Sequence, residues 1–306
     1  MKRFFYFSPM RIPQVLQKGD KIALIAPAKK IESNLEPSLE IIKSWGIEPI
    51  LGENVLETNN YFAGTDEQRL SDLQWALDNP EIKAIIIARG GYGTTRIIDQ
   101  LDWTSFDMNP KWICGFSDIT SLLSLLNNRN VASIHGPMGV TLTWDEQSTV
   151  ALQEILFKGK LEYQIAHNEN NKFGKTRAPL VGGNLSIICN TIGTASEIQT
   201  EGKILFLEEV GEYLYHLDRM LIQLKRAGKL DSIKGLIVGD FSSMKDHQDS
   251  FGKGVEKIIS ESISHLDIPV AFGFPLGHES KNLPVICGIE SRFEVNSNCC
   301  FLRCHV

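Results

Sequence analysis

Residues 113–126 read ICGFSDITSLLSLL. Apolar and small residues lead into a corner at Ser117, and leucines at helical spacing lead away from it. The stretch therefore predicts a short buried strand, a sharp turn and an amphipathic helix. Its flanks extend the pattern. KIALIAPA (21–28) and IKAIIIA (82–88) are apolar runs of the kind buried on both faces of a parallel sheet. NLEPSLEIIKSWG (34–46) has a helical period and stops at Gly46, IEPILG is a second strand, and TDEQRLSDLQWALDNP (65–80) opens on a Thr65–Gln68 capping box and ends before Pro80. VASIHG adds another strand. The alternation predicts an α/β fold with a mostly parallel sheet covered on both sides.

The periodicity lapses over HNENNKFGKTRAP (167–179), which is polar and rich in turn formers. This sets an expected division into a first α/β domain at 1–166, a linker at 167–178 and a second domain at 179–306. In the second part, GGNLSIICNTIG is a helix with a glycine-rich entry and KILFLEEV (203–210) a strand. YHLDRMLIQLKRAGKL (215–230) is a strongly amphipathic helix, followed by the strand IKGLIVGDF, the helix GVEKIISESISHL and the strand IPVAFGF. From LPVICGIESRFEV onward the pattern is that of antiparallel strands.

Composition narrows the function. The chain has 306 residues, 42% of them hydrophobic, and a net charge of -6 with its 31 basic residues scattered, which argues against a nucleic-acid partner. No apolar run reaches the ~18 residues that span a bilayer, so no membrane partner is expected. The start, MKRFFYFSPMRIPQ, resembles a signal peptide only as far as FFYF, short of the usual apolar core; a draped or disordered leader on a cytoplasmic protein is expected. Six scattered cysteines fit a reducing compartment. The terminal FEVNSNCCFLRCHV reads as a hairpin strand with cysteines at small buried positions, and without a second ligand cluster it predicts no metal.

The corner itself has two readings. A serine before a helix is commonly an N-cap, and Asp118 in the first turn fits that role. At the carboxyl end of a parallel strand the same serine is also placed as a nucleophile, with helix N–H groups ready for an oxyanion and Gly115 relieving the turn. GFSDI departs from GxSxG by having Ile119 at the second glycine. A nucleophile needs a base and an orienting acid. His278 lies in the Gly- and Pro-rich loop GFPLGHESKNLP after a strand; His135, in SIHGPMG, follows another strand end. Glu208 and Glu209 close the apolar strand ILFLEEV, pointing to opposite sides, and Glu208 is the acid expected to face the strand end. Read alone, Ser117 is sooner a cap than a nucleophile, His278 sooner a surface histidine and Glu208 sooner a solvated carboxylate.

Together, GDKIALIAPA, ARGGYGTTRIID, KWICGFSDIT, SIHGPM, LVGGNLS, ILFLEEVGEYLYHLDRMLIQL and FGFPLGHE resemble the LD-carboxypeptidase family of serine peptidases, which includes murein tetrapeptide carboxypeptidases and microcin C immunity peptidases. The resemblance runs from about Pro13 to Phe293. It implies an N-terminal flavodoxin- or class I amidotransferase-like domain, a C-terminal swivelling β/α domain, a homodimer, and no cofactor. It also implies a triad of Ser117 in the G-x-S-D motif, Glu208 and His278 in the G-H motif, with oxyanion donors at the N–H of Asp118 and of Gly91. The implied activity is release of terminal D-alanine from a murein tetrapeptide. Arg89 and Tyr92, flanking the glycines, are the expected substrate-binding residues, Arg89 for the terminal carboxylate. EYLY stands where many members have Pro-Tyr after the acid. The competing readings are a peptidase for microcin-type acyl-sulfamoyl adenylates, a muropeptide-binding protein without catalysis, and a nucleotide-binding protein built on RGGYG, which lacks GxGxxG order and a P-loop lysine.

Overall fold

A computed structural model describes residues 9–306. The expected draped leader falls mostly on residues 1–8, outside the described residues; just after them, Arg11 pairs with Val131 and bonds Asp107. The first unit runs β1 (Lys21–Ile25), α1 (Glu36–Ser44), β2 (Glu48–Leu51), α2 (Asp66–Asp78), β3 (Ile82–Ile87), α3 (Thr104–Met108), β4 (Trp112–Gly115), α4 (Thr120–Asn128), β5 (Ser133–His135) and α5 (Glu146–Lys158). The second runs β6 (Lys160–Ala166), β7 (Gly174–Asn184), α6 (Leu185–Asn190), β8 (Ile204–Val210), α7 (Leu214–Arg226), β9 (Gly235–Ser242), α8 (Val255–Ser262), β10 (Val270–Ala271), β11 (Val285–Cys287), β12 (Glu290–Val295) and β13 (Cys299–His305). The capping box at Thr65 and Gln68 forms as expected.

Two sheets result. The first has the order β11-β5-β4-β3-β1-β2. Strands β1 to β5 are parallel and β11 runs antiparallel on the edge. Read from the other edge, β2-β1-β3-β4-β5 is the flavodoxin-like order, with its switch point between β1 and β3. The second sheet has the order β10-β9-β8-β7-β12-β13-β6, in which β7 to β10 are parallel and β12, β13 and β6 antiparallel. The mixed α/β architecture is the one expected.

The division of the chain between the sheets differs from the expected boundaries. Strand β6 lies before residue 167 yet closes the far edge of the second sheet, and β7 begins inside the expected linker. In turn β11, from the C-terminal part, completes the first sheet. Both strands are short or weakly apolar, and their partners lie more than a hundred residues away, so no local pattern marks the exchange. The two sheets share one core: Ile22, Trp112 and Ile134 of the first belong to the same buried cluster as Phe206, Phe274 and Phe293. Cys300 and Cys304 face inward on β13 and are buried, as small residues in a terminal hairpin.

Candidate active site

Strand β4 ends at Gly115, and one 3-10 turn over Ser117–Ile119 precedes α4. Ser117 has φ of +64°, the left-handed region that a non-glycine residue occupies only under constraint. Phe116, not Ser117, stands at the N-cap position, and no side-chain bond caps the turn. The hydroxyl instead lies 3.1 Å from Nε2 of His278. Gly115 lets the turn close tightly: a Cβ there would sit 3.0 Å from the side chain of Ile119, which would have to shift by a few tenths of an ångström. Ile119, which departs from GxSxG, is thus the residue that the glycine accommodates.

His278 sits on the segment that leaves β10 in the second sheet and enters β11 in the first. The N–H of Gly277 donates to Asn282 Oδ1 at 3.2 Å, and the N–H of Asn282 donates to Ser148 Oγ on α5 at 3.1 Å. The ring of Phe116 packs edge-on against the imidazole, centroids 5.0 Å apart. Nδ1 lies 2.7 Å from Oε2 of Glu208, which is wholly buried. With Nδ1–H donating to that carboxylate, Nε2 keeps a lone pair toward the serine hydroxyl.

Glu208 projects beside an irregularity in the sheet. Leu207 pairs with Val238 but Glu209 with Phe241, so Gly239 and Asp240 together oppose Glu208. Such bulges turn side chains toward sites. Glu209 points the other way and accepts from Asn184 Nδ2, Ser186 N, Ser186 Oγ and Val210 N at 2.6–3.0 Å. The opposite orientation of the two glutamates is as expected. Burial pushes the Glu208 carboxyl up, and the hydrogen bond from His278 pulls it back in part. For His278, burial works against the proton, but the hydrogen bond and charge of Glu208 outweigh it, and its pKa lies above the usual imidazole value.

Residues 22–136 match the LD-carboxypeptidase N-terminal domain and residues 177–293 the LD-carboxypeptidase C-terminal domain. The chain belongs to the LD-carboxypeptidase family of serine peptidases. It is 34% identical over 290 residues to a Bacillus subtilis protein named "Probable murein peptide carboxypeptidase", covering 91% of this chain and 90% of that one. The crystal structure of muramoyltetrapeptide carboxypeptidase from Oxalobacter formigenes superposes with a TM-score of 0.84 at 29% identity, over 92% of this chain and 98% of that one. The structure of MccF in complex with glutamyl sulfamoyl guanosine superposes with a TM-score of 0.85 over 97% of this chain and 99% of that one; at 19% identity it speaks for the fold. Among the described residues no helix is long and apolar enough to cross a membrane.

Of the glycine loop, Gly90 packs directly against the corner: a Cβ there would lie 3.1 Å from Ser117 Cβ. Gly91, at φ +113°, follows it. The loop is tied down from beneath, because Asp118 Oδ2 accepts the Thr94 N–H at 2.8 Å and Arg69 donates to the carbonyls of Pro27 and Gly93 at 2.6 and 3.0 Å. Asp118 is buried, and burial raises its carboxyl. Arg89 bonds Glu32, and Tyr92 lies exposed with its ring against Phe62, centroids 5.8 Å apart. His135 is buried behind the site, its ring edge-on to Phe116 and Phe206, with neither nitrogen partnered among the described residues.

Sequence reasoning missed several neighbours. Thr120 Oγ1 accepts the Asn184 N–H at 3.0 Å and joins the two units directly behind the corner. Asp240 lies beside Glu208, its pKa lifted to about 7 by burial and then by Glu279 and Glu208. Lys29 and Tyr61 crowd the glycine loop. The sequence signal for two of these was position: Lys29 follows the apolar strand β1, and Asp240 follows the apolar run GLIVG within β9.

Proposed function

We propose that the protein is an LD-carboxypeptidase that removes the terminal D-alanine of murein tetrapeptides through Ser117, His278 and Glu208. The observation that supports this most is the relay of contacts, Ser117 Oγ to His278 Nε2 at 3.1 Å and His278 Nδ1 to Glu208 Oε2 at 2.7 Å, on a serine held at positive φ. In the first half-reaction Ser117 Oγ attacks the carbonyl carbon of the penultimate residue while its proton passes to His278 Nε2. The tetrahedral oxyanion is received by the N–H groups of Asp118 and Gly91, each donor being worth roughly 3 kcal/mol. His278 then protonates the departing nitrogen of D-alanine. In the second half-reaction His278 takes a proton from water as its oxygen attacks the acyl carbon; the C–Oγ bond then breaks, and His278 returns the proton to Ser117 Oγ. Glu208 keeps the imidazole in the required tautomer and stabilises the imidazolium.

Incubation with L-Ala-D-Glu-diaminopimelate-D-Ala should release D-alanine, and Ser117→Ala should abolish that release. A wild-type enzyme that leaves the tetrapeptide intact but cleaves an acyl-sulfamoyl adenosine would transfer the same chemistry to the other substrate class. The reading also makes the protein a cytoplasmic homodimer, which cell fractionation and sedimentation test directly.

A further inference from the structure

We propose that Lys29 and Arg89 form the anchor for the substrate's terminal carboxylate, and that Glu32 is an internal carboxylate held in that anchor until substrate displaces it. This rests on the carboxypeptidase reading above and deepens it.

The anchor stands at the switch point of the first sheet. Lys29 follows β1 and Arg89 follows β3, the two strands whose chain connections leave in opposite directions, where open α/β sheets place their ligands. The Lys29 N–H donates to the Gly90 carbonyl at 3.2 Å. A Cβ at Gly91 would come within 2.6 Å of Lys29 Cβ and 3.0 Å of the Tyr61 hydroxyl, while Gly90 abuts Ser117. Only the thickness of the glycine loop therefore separates Lys29 and Tyr61 from the serine.

The charges around Glu32 do not balance. Its Oε2 is shared by Arg89 at 3.0 Å and Lys29 at 3.5 Å, two cations on one carboxylate. The cations are the better packed members, with side chains 25% and 26% exposed against 53% for Glu32. Lys29 also lies over the Tyr61 ring, 5.5 Å from its centroid. The fixed part of the cluster is thus cationic and the loose part is a carboxylate, which is the group an exopeptidase must recognise at the end of its substrate. A substrate carboxylate can take the place of Glu32 charge for charge, with Glu32 released to solvent. An amidated or extended peptide lacks the charge to do so, and the cluster then selects against it.

The test compares the tetrapeptide acid with its C-terminal D-alaninamide on wild type, Lys29→Met, Arg89→Met and Glu32→Gln. Wild type should favour the acid. The methionine variants should raise KM for the acid about tenfold or more and leave KM for the amide nearly unmoved, because only the charge-assisted bonds are lost. Glu32→Gln should lower KM for the acid about threefold, since an internal competitor has been removed, with the change in KM rather than kcat. The acid-to-amide ratio within each variant is independent of how much enzyme is folded. A rise of KM in Glu32→Gln would make Glu32 a support for Arg89 and overturn the displacement. Equal losses on acid and amide in the methionine variants would overturn the anchor. If wild type releases no D-alanine from either peptide, the carboxypeptidase reading fails and the anchor with it; release with equal losses on acid and amide removes the anchor alone, and release with a raised KM in Glu32→Gln removes only the displacement.

Discussion

The two sides of the candidate site are built by different means. Ser117 owes its pose to its own neighbours: the end of β4, the left-handed φ, the 3-10 turn and the packing of Ile119 over Gly115 all lie within a few residues. His278 and Glu208 owe theirs to assembly. They stand 70 residues apart, and the serine is 161 residues from the histidine. The histidine rides on a segment strung between the edge strands of two sheets, β10 and β11, and is pinned to α5 through Asn282 and Ser148. A locally determined nucleophile keeps its pose when the rest of the site is disturbed. A base that depends on two sheets keeps its pose only while the sheets hold their relation.

The largest effect expected on this contrast comes from Ser117→Ala. Removing the nucleophile of a triad costs roughly 10⁶ in kcat, measured as D-alanine release; a residual rate within tenfold of wild type would remove Ser117 from the chemistry. Glu208→Gln comes next. It keeps shape and burial but presents an amide to His278 Nδ1, so the tautomer is no longer enforced, and kcat should fall by about 10⁴ with KM little changed. A loss confined to KM would place Glu208 in binding instead.

The same contrast governs how much was legible in the sequence. The strand–turn–helix at Ser117, the capping box at Thr65 and the buried runs of β1 and β3 are local patterns, and each formed where its residues pointed. Whether Ser117 is a cap was not legible, because cap and corner share one composition; the positive φ and the absence of a cap bond separate them. That His278 and Glu208 meet was legible only through family resemblance, since nothing local in GHES or FLEEV encodes a partner. The exchange of β6 and β11 between sheets was invisible for the same reason. Lys29 and Glu32 belong to no sequence pattern, and only the contact of Lys29 with the glycine loop and its pairing with Glu32 give them significance.

Two histidines flank Phe116 and respond oppositely to their surroundings, which gives a third prediction. His278 holds its proton more tightly than usual, mainly because Glu208 outweighs burial. His135 has no side-chain partner among the described residues, and burial, aided by the charge of His278, drops it to about 3. In the unfolded chain a histidine titrates near 6.5. Below that pH the unfolded state binds a proton that folded His135 refuses. The stability from neutral His135 is therefore complete above about pH 6.5, declines as pH falls, and is lost by about pH 3, by at most about 5 kcal/mol. His278 contributes with the opposite sign, favouring the fold below about 6.5 and losing that contribution as pH rises through its higher folded value. His135→Phe should flatten the acid side of the stability curve by up to about 1.4 kcal/mol per pH unit whatever its stability at neutral pH. Urea midpoints measured from pH 7 to pH 4 read that slope, and an unchanged slope would mean that His135 is protonated or solvated in the native state.

The smallest effect probes the corner alone. If Ser117 is held at φ +64° by its surroundings, the cost is stored in the backbone and persists in Ser117→Ala, which keeps a Cβ. Ser117→Gly removes that cost, about 1–3 kcal/mol for a non-glycine residue in the left-handed region. Against this stands the greater freedom of glycine in the unfolded chain, about 0.5–1 kcal/mol. The balance favours Ser117→Gly over Ser117→Ala by about 1 kcal/mol, read as a higher urea midpoint at equal slope. Both variants lack the hydroxyl, so the difference between them isolates the turn from the chemistry. Equal midpoints would mean that the corner is relaxed, and the pose of the nucleophile would then depend on His278 and Glu208 across the cleft, as theirs depends on the packing of the two sheets.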